Sequence, residues 1–151
     1  MSSGAFIAPG ATLGVLGGGQ LGRMFVHAAQ RLGYRTIVLD PDPASPAGLV
    51  AHEHLRADYL DPDALAHLGR RAAAVTTEFE NVPAAALEAL AARIVVAPRA
   101  AAVAACQDRA AEKAAFVGSG VACAPHALLA SQSLPDRPQR HRRTMRLPWH
   151  K

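Results

Sequence analysis

The sequence is poor in aromatics, poor in cysteine and without any long apolar run. Half of its 151 residues are hydrophobic, yet only 5% are aromatic, and alanine supplies much of the apolar count. No stretch of about 18 or more apolar residues occurs, which excludes a transmembrane helix. The first twelve residues carry no Lys or Arg ahead of their apolar stretch, so they do not read as a secretory signal. Two cysteines, Cys106 and Cys123, cannot build a disulfide scaffold, and neither belongs to a C-x-x-C pattern. They fit a reducing cytoplasm, and each is expected to be a small buried apolar residue. The seven histidines show no metal-ligand spacing. His52 and His54 are two apart, but no acid or thiol completes a site, so no zinc is expected. The length suits one compact domain and argues against two full ones.

The net charge of +4 is unevenly spread. Residues 135–151 carry six Arg and Lys against the single acid Asp136, a balance of +5. Residues 1–134 carry ten basic and eleven acidic groups, a balance of −1. The basic character therefore belongs to the tail. Such a tail can bind nucleic acid or an anionic surface. The first 134 residues, however, offer no basic, aromatic-bearing face, so nucleic acid is not an expected partner and a solvated end is.

The rest of the chain reads as strands alternating with helices. Residues 13–16 form a short apolar run ending in glycines, as a buried parallel strand does. Residues 20–32 repeat apolar side chains at helical spacing and close on Gly33. Residues 36–39 are a second strand stopping at Asp40, followed by a proline-rich loop. Residues 54–57 are a weak third strand. Asp61 and Pro62 then start a helix to about Arg71. Residues 74–77 and 94–96 are further strands, and 83–92, 100–105 and 108–117 are helical. This alternation predicts an α/β fold with a parallel sheet and flanking helices. The expected divisions are a flexible N-terminus over 1–12, a domain over 13–118, the start of a linker over 119–134 and the basic tail over 135–151.

Two motifs carry chemistry. Gly17-Gly18-Gly19-Gln20-Leu21-Gly22 follows a strand, opens a helix and satisfies G-x-G-x-x-G. Glycines let a ligand approach the backbone, and free N–H groups at a helix start favour an anion. Asp40 stands where a dinucleotide fold places its ribose-binding acid, so one reading is an NAD-binding domain. The second motif is Glu78-Phe79-Glu80-Asn81-Val82-Pro83 at the carboxyl end of the fourth strand. On an extended stretch Glu78 and Glu80 share one face and Phe79 takes the other. Glu78 is either a ligand-binding acid or a solvated loop acid by spacing alone. In Gln107-Asp108-Arg109, Arg109 is either a phosphate contact or a surface charge.

Taken together, residues 14–24, 39–47, 57–61, 77–83 and 107–113 resemble the N-terminal part of the N5-carboxyaminoimidazole ribonucleotide synthase family. These are ATP-grasp enzymes of purine biosynthesis, and the resemblance covers about residues 13–130. Gly-Gly-Gly-Gln-Leu-Gly-Arg-Met with Glu-Phe-Glu-Asn-Val-Pro is far more specific than a bare glycine fingerprint. The resemblance implies a Rossmann-like pre-ATP-grasp domain that binds no NAD. It implies an enzyme that uses ATP, magnesium and bicarbonate to carboxylate the exocyclic amine of 5-aminoimidazole ribonucleotide through carboxyphosphate. By position, Gly19, Gln20 and Leu21 match the turn facing the ribonucleotide. Glu78 matches the acid that holds it, and Arg109 matches an arginine contacting ATP. No residue of this chain is matched to a catalytic role or to a metal ligand. Family members are commonly dimers, which leaves a homodimer open without fixing the oligomeric state.

The family is more than twice as long and continues into an ATP-grasp domain with a Gly-Tyr-Asp-Gly-Lys-Gly loop and magnesium-binding acids. The tail matches none of this. With suitable codons, residues 146–150 read one nucleotide later encode Gly-Tyr-His-Gly, so one expectation is a frameshift between about residues 128 and 140. The 151 residues alone are then expected to be inactive and to hold neither ATP nor magnesium tightly. The readings set against this one are a stand-alone NAD-binding domain and a nucleic-acid-binding protein acting through the Arg-rich tail.

Overall fold

The computed structural model describes residues 6–125. The elements run β1 (Thr12–Leu16), α1 (Gln20–Arg31), β2 (Arg35–Leu39), β3 (Glu53–Leu55), α2 (Pro62–Arg71), β4 (Ala74–Thr77), α3 (Ala84–Ala91), β5 (Val95–Val96), α4 (Ala100–Gln107) and α5 (Arg109–Gly118). The five strands form one parallel sheet in the order β3-β2-β1-β4-β5. This is the expected α/β architecture.

Strand alternation divides the core between the two faces. Val15 and Val38 pack with Val26 of α1 and with Ala47. Leu16, Ile37 and Leu39 point the other way and pack with Leu68 of α2, Val75 of β4, and Leu87 and Leu90 of α3. Burying the strands on both faces is why β1 and β2 read as continuous apolar runs. α2 is started as its sequence suggests. Asp61 accepts a hydrogen bond from the Ala64 N–H at 2.8 Å, and Pro62 occupies the first turn.

Some boundaries differ from expectation. Residues 7–11 are tied down rather than flexible. Gly10 N–H donates to Gly33 O, Tyr34 Oη–H to Ile7 O and Arg35 N–H to Ala11 O. The third strand covers Glu53–Leu55 and ends before Ala57. Asp58 takes over there, accepting from Leu60 N–H through its carboxylate and from Asp61 N–H through its carbonyl. The cysteines depart further. Cys106 is exposed and Cys123 half-exposed. α4 buries only Ala100 and Val103, and by Cys106 it has run past the core. The basic tail and the proposed point of frameshift lie outside the described residues.

From β1 the chain moves first to β2 and β3, then crosses to β4 and β5 on the other side. β1 and β4 are therefore the strands between which the connection reverses. The crevice beyond their carboxyl ends is where open parallel sheets bind ligands.

Candidate functional site

The glycine turn leaves β1 at this crevice. Gly17 has φ +102°, a left-handed conformation that L side chains rarely adopt. Gly22 sits so close to the turn that a Cβ there would meet Gly17 O at 2.7 Å. These two positions make the turn tight and set the start of α1 directly above it.

The N–H groups of the turn's four glycines have partners inside the protein. Gly17 N–H donates to Leu39 O at 3.0 Å. Gly18 N–H donates to Asp40 Oδ2 at 2.7 Å. Gly19 N–H donates to Glu78 Oε1 at 2.6 Å, and Gly22 N–H to Glu78 Oε2. α1 has no capping side chain of its own at Gly19. Glu78 arrives from the end of β4 and caps the helix from outside, placing a carboxylate on the positive end of its dipole.

Asp40 is a brace. Beyond Gly18 it accepts from Asp42 N–H at 2.9 Å and from the Tyr59 hydroxyl at 2.7 Å. Burial, the hydrogen bond to Asp40 and the nearby negative charges push the Tyr59 hydroxyl well above its ordinary range. Tyr59 also meets Phe79 edge-on, with ring centroids 6.1 Å apart. Gly18, Gly19, Asp40, Ser45, Tyr59 and Glu78 line a cavity of about 280 Å³ at the mouth of the crevice.

The second motif does not stay extended. β4 ends at Thr77, residues 78 and 79 bend, and residues 80 and 81 turn. The expected alternation therefore stops before it reaches Glu78. Glu78 folds back to the glycine turn while Glu80 is exposed, so the two acids do not act as a pair. The loop is pinned by Gln107, whose Nε2 donates to Glu80 O at 2.6 Å and to Val82 O at 2.7 Å. Asp108 then caps α5, accepting from Ala110 N–H and Ala111 N–H.

Of the residues singled out in the sequence, Gly19 and Glu78 are in direct contact. Gln20 and Leu21 begin α1 and are exposed at the same edge. Arg109 stands apart at the start of α5, exposed, with Nη1 2.5 Å from Glu112 Oε2. The Glu112 carboxylate bonded to it raises its pKa further. Arg109, Gln107, Cys106 and Glu80 line a separate hollow. Sequence reasoning missed the Asp40–Tyr59 brace and the pinning role of Gln107. The position of Gln107 directly before a capping aspartate was the available signal for the second. Among the described residues no group of three or more His, Cys, Asp or Glu could hold a metal ion.

A parallel sheet with a tight glycine turn, whose four glycine amides are engaged, and a carboxylate at its switch point defines a Rossmann-like α/β domain. Residues 10–107 match the model of the ribonucleotide synthetase pre-ATP-grasp domain, and the chain belongs to this family. Its relatives are more particular. It is 46% identical over 123 residues to N5-carboxyaminoimidazole ribonucleotide synthase of Brucella melitensis, covering 82% of this chain and 34% of the relative. It resembles the crystal structure of the Staphylococcus aureus N5-carboxyaminoimidazole synthetase complexed with ADP, with TM-score 0.71 and 40% identity over 76% of this chain and 31% of that one. It also resembles the Aspergillus clavatus synthase in complex with ADP and 5-aminoimidazole ribonucleotide, with TM-score 0.66 and 34% identity over 74% and 30%. The chain thus spans about a third of the length of the relatives it matches.

Proposed function

We propose that this chain forms the ribonucleotide-facing domain of an N5-carboxyaminoimidazole ribonucleotide synthase. In that reaction ATP and bicarbonate give carboxyphosphate. The exocyclic amine of 5-aminoimidazole ribonucleotide takes the carboxyl group, and ADP and phosphate leave. The observation that carries the reading is the carboxylate of Glu78, held at the switch point beside Gly19 and reaching the cavity there. Each carboxylate oxygen has one lone pair left after its bond to the turn, which a ligand N–H or O–H can use. Gln20 and Leu21, at the same edge, frame the ligand. Arg109, with an exposed guanidinium on its own hollow, is assigned to ATP.

The NAD-binding reading has lost its support. The Gly18, Gly19 and Gly22 amides are engaged by Asp40 and Glu78, and Asp40 faces the turn rather than a ribose. The nucleic-acid reading rests on residues 135–151, outside the described region, and nothing in the described domain adds to it. No helix of the described residues is long and apolar enough to cross a membrane, and a cytoplasmic setting and a homodimer belong to the same proposal.

Calorimetric titration with 5-aminoimidazole ribonucleotide tests it. Saturable binding that weakens about tenfold or more in Glu78→Ala is expected, the scale of a lost hydrogen bond to a charged group. Binding unaffected by Glu78→Ala would remove Glu78 from the site. A turnover assay with ATP and bicarbonate on the 151 residues alone should show no carboxylation, because phosphoryl transfer needs charge neutralisation that these residues do not supply. Rates near those of a full-length relative would overturn that expectation.

A further inference from the structure

The same glycine turn invites a question about what it refuses. We propose that Glu78 is a specificity-determining residue that bars phosphate groups from the turn: its carboxylate is a resident anion seated where a dinucleotide fold would place pyrophosphate. The inference concerns the turn itself and stands whether or not the ribonucleotide reading holds.

Three observations carry it. Both carboxylate oxygens are engaged, one on Gly19 N–H and one on Gly22 N–H. These are donors at the start of a twelve-residue helix that has no cap of its own. The glycines are also shaped around the glutamate. A Cβ on Gly17 would lie 2.5 Å from Glu78 Cγ, and a Cβ on Gly19 would lie 2.6 Å from Glu78 Oε1. In an ordinary dinucleotide turn that space admits the ligand; here a side chain of the protein fills it. Finally, a second carboxylate, that of Asp40, takes the Gly18 N–H, so an incoming phosphate meets two negative groups and no free donor from Gly17, Gly18, Gly19 or Gly22.

The sequence fingerprint and the chemistry therefore point in opposite directions. G-x-G-x-x-G promises an anion site, and an acid 56 residues from Gly22 closes it. A ligand in the cavity is read through groups that donate to carboxylates, not through a phosphate laid on the helix.

The test uses inorganic pyrophosphate as probe, followed by the backbone amide resonances of Gly19 and Gly22. The wild-type protein should show no saturable shift. Glu78→Ala should expose both amides and bind pyrophosphate about tenfold or more tighter than wild type, the scale of an anion at a favourable helix N-terminus. Glu78→Gln, nearly isosteric but neutral, should fall between them, and it decides the question if the alanine variant does not fold. A folded variant with no gain in pyrophosphate binding would overturn the proposal, as would saturable shifts of Gly19 and Gly22 in the wild type. A parallel titration with 5-aminoimidazole ribonucleotide separates the two readings. Gain of pyrophosphate with unchanged ribonucleotide binding upholds the resident anion and fails Glu78 as a substrate contact.

Discussion

At the β1–β4 corner, the glycine turn, Asp40, Tyr59 and Glu78 are bonded to one another across four separate segments of the chain. At the α5 corner, Arg109 is bonded to Glu112, its neighbour one turn along the same helix. The first corner rests on a packed sheet. The second rides on a helix that buries none of its residues and leaves Phe116 and Val117 exposed. The difference is one of preorganisation. Side chains held by long-range bonds keep their geometry before a ligand arrives, whereas a side chain on a loosely seated helix takes its final place with the ligand or with whatever covers that face.

The contrast breaks most visibly under core truncation. Leu68 is fully buried and packs against Gly14 of β1, beneath the crevice. Leu68→Ala should cost about 2–5 kcal/mol in a urea melt. Val117→Ala on α5 should stay within about 0.5 kcal/mol. Equal losses at the two positions would mean that α5 is as firmly seated as the sheet, and the comparison would fall.

Gln107 is the link between the corners, and removing it should have the next largest effect. Its amide satisfies the carbonyls of Glu80 and Val82 at the end of α4. Gln107→Ala should cost about 0.5–1.5 kcal/mol, the net worth of an ordinary hydrogen bond, because two half-solvated loop carbonyls lose their donor. Hydrogen exchange should quicken over residues 79–82 while Gly19 and Gly22 keep their protection. Faster exchange at the glycine turn as well would show that the loop, rather than the sheet, positions Glu78.

The first corner was the more legible in sequence, and the reason is physical. Short apolar runs, helical spacing and the Asp61–Pro62 start are local signals, and the strands and helices follow from them. The glycine turn announced a close approach. What approached was hidden, because the bonds from Gly19 and Gly22 to Glu78 join residues 59 and 56 apart. Local pattern placed Glu78 and Glu80 on one face only by assuming that β4 continues, and it stops at Thr77. Cys106 misled for a related reason: burial depends on where a helix leaves the core, which composition does not carry. The family's motifs supplied what spacing alone left open, namely which glycine turn and which acid belong together.

Tyr59 sharpens the picture through pH. Its hydroxyl is held above the ordinary tyrosine value near 10, chiefly by burial and by its bond to Asp40. A raised folded-state pKa means the native state keeps a proton that the unfolded state releases. The contribution is whole below pH ~10 and is lost as pH rises beyond it. The wild-type melting temperature should therefore fall above pH ~10 more steeply than that of Tyr59→Phe. Identical slopes would detach Tyr59 from the brace.

The smallest effect on stability belongs to Arg109, and its smallness is the point. The guanidinium is exposed and its bond to Glu112 lies on the surface of α5, where ion pairs are screened and contribute little. Arg109→Ala should leave the thermal midpoint of this chain where it was. In a full-length relative, the same substitution at the matched arginine should raise KM for ATP and spare KM for 5-aminoimidazole ribonucleotide, since the arginine is assigned to one substrate and Glu78 to the other. Loss of ribonucleotide binding would join the two corners into one subsite. A drop in melting temperature would make Arg109 a structural residue, and the exposed corner would then be as internally committed as the glycine turn.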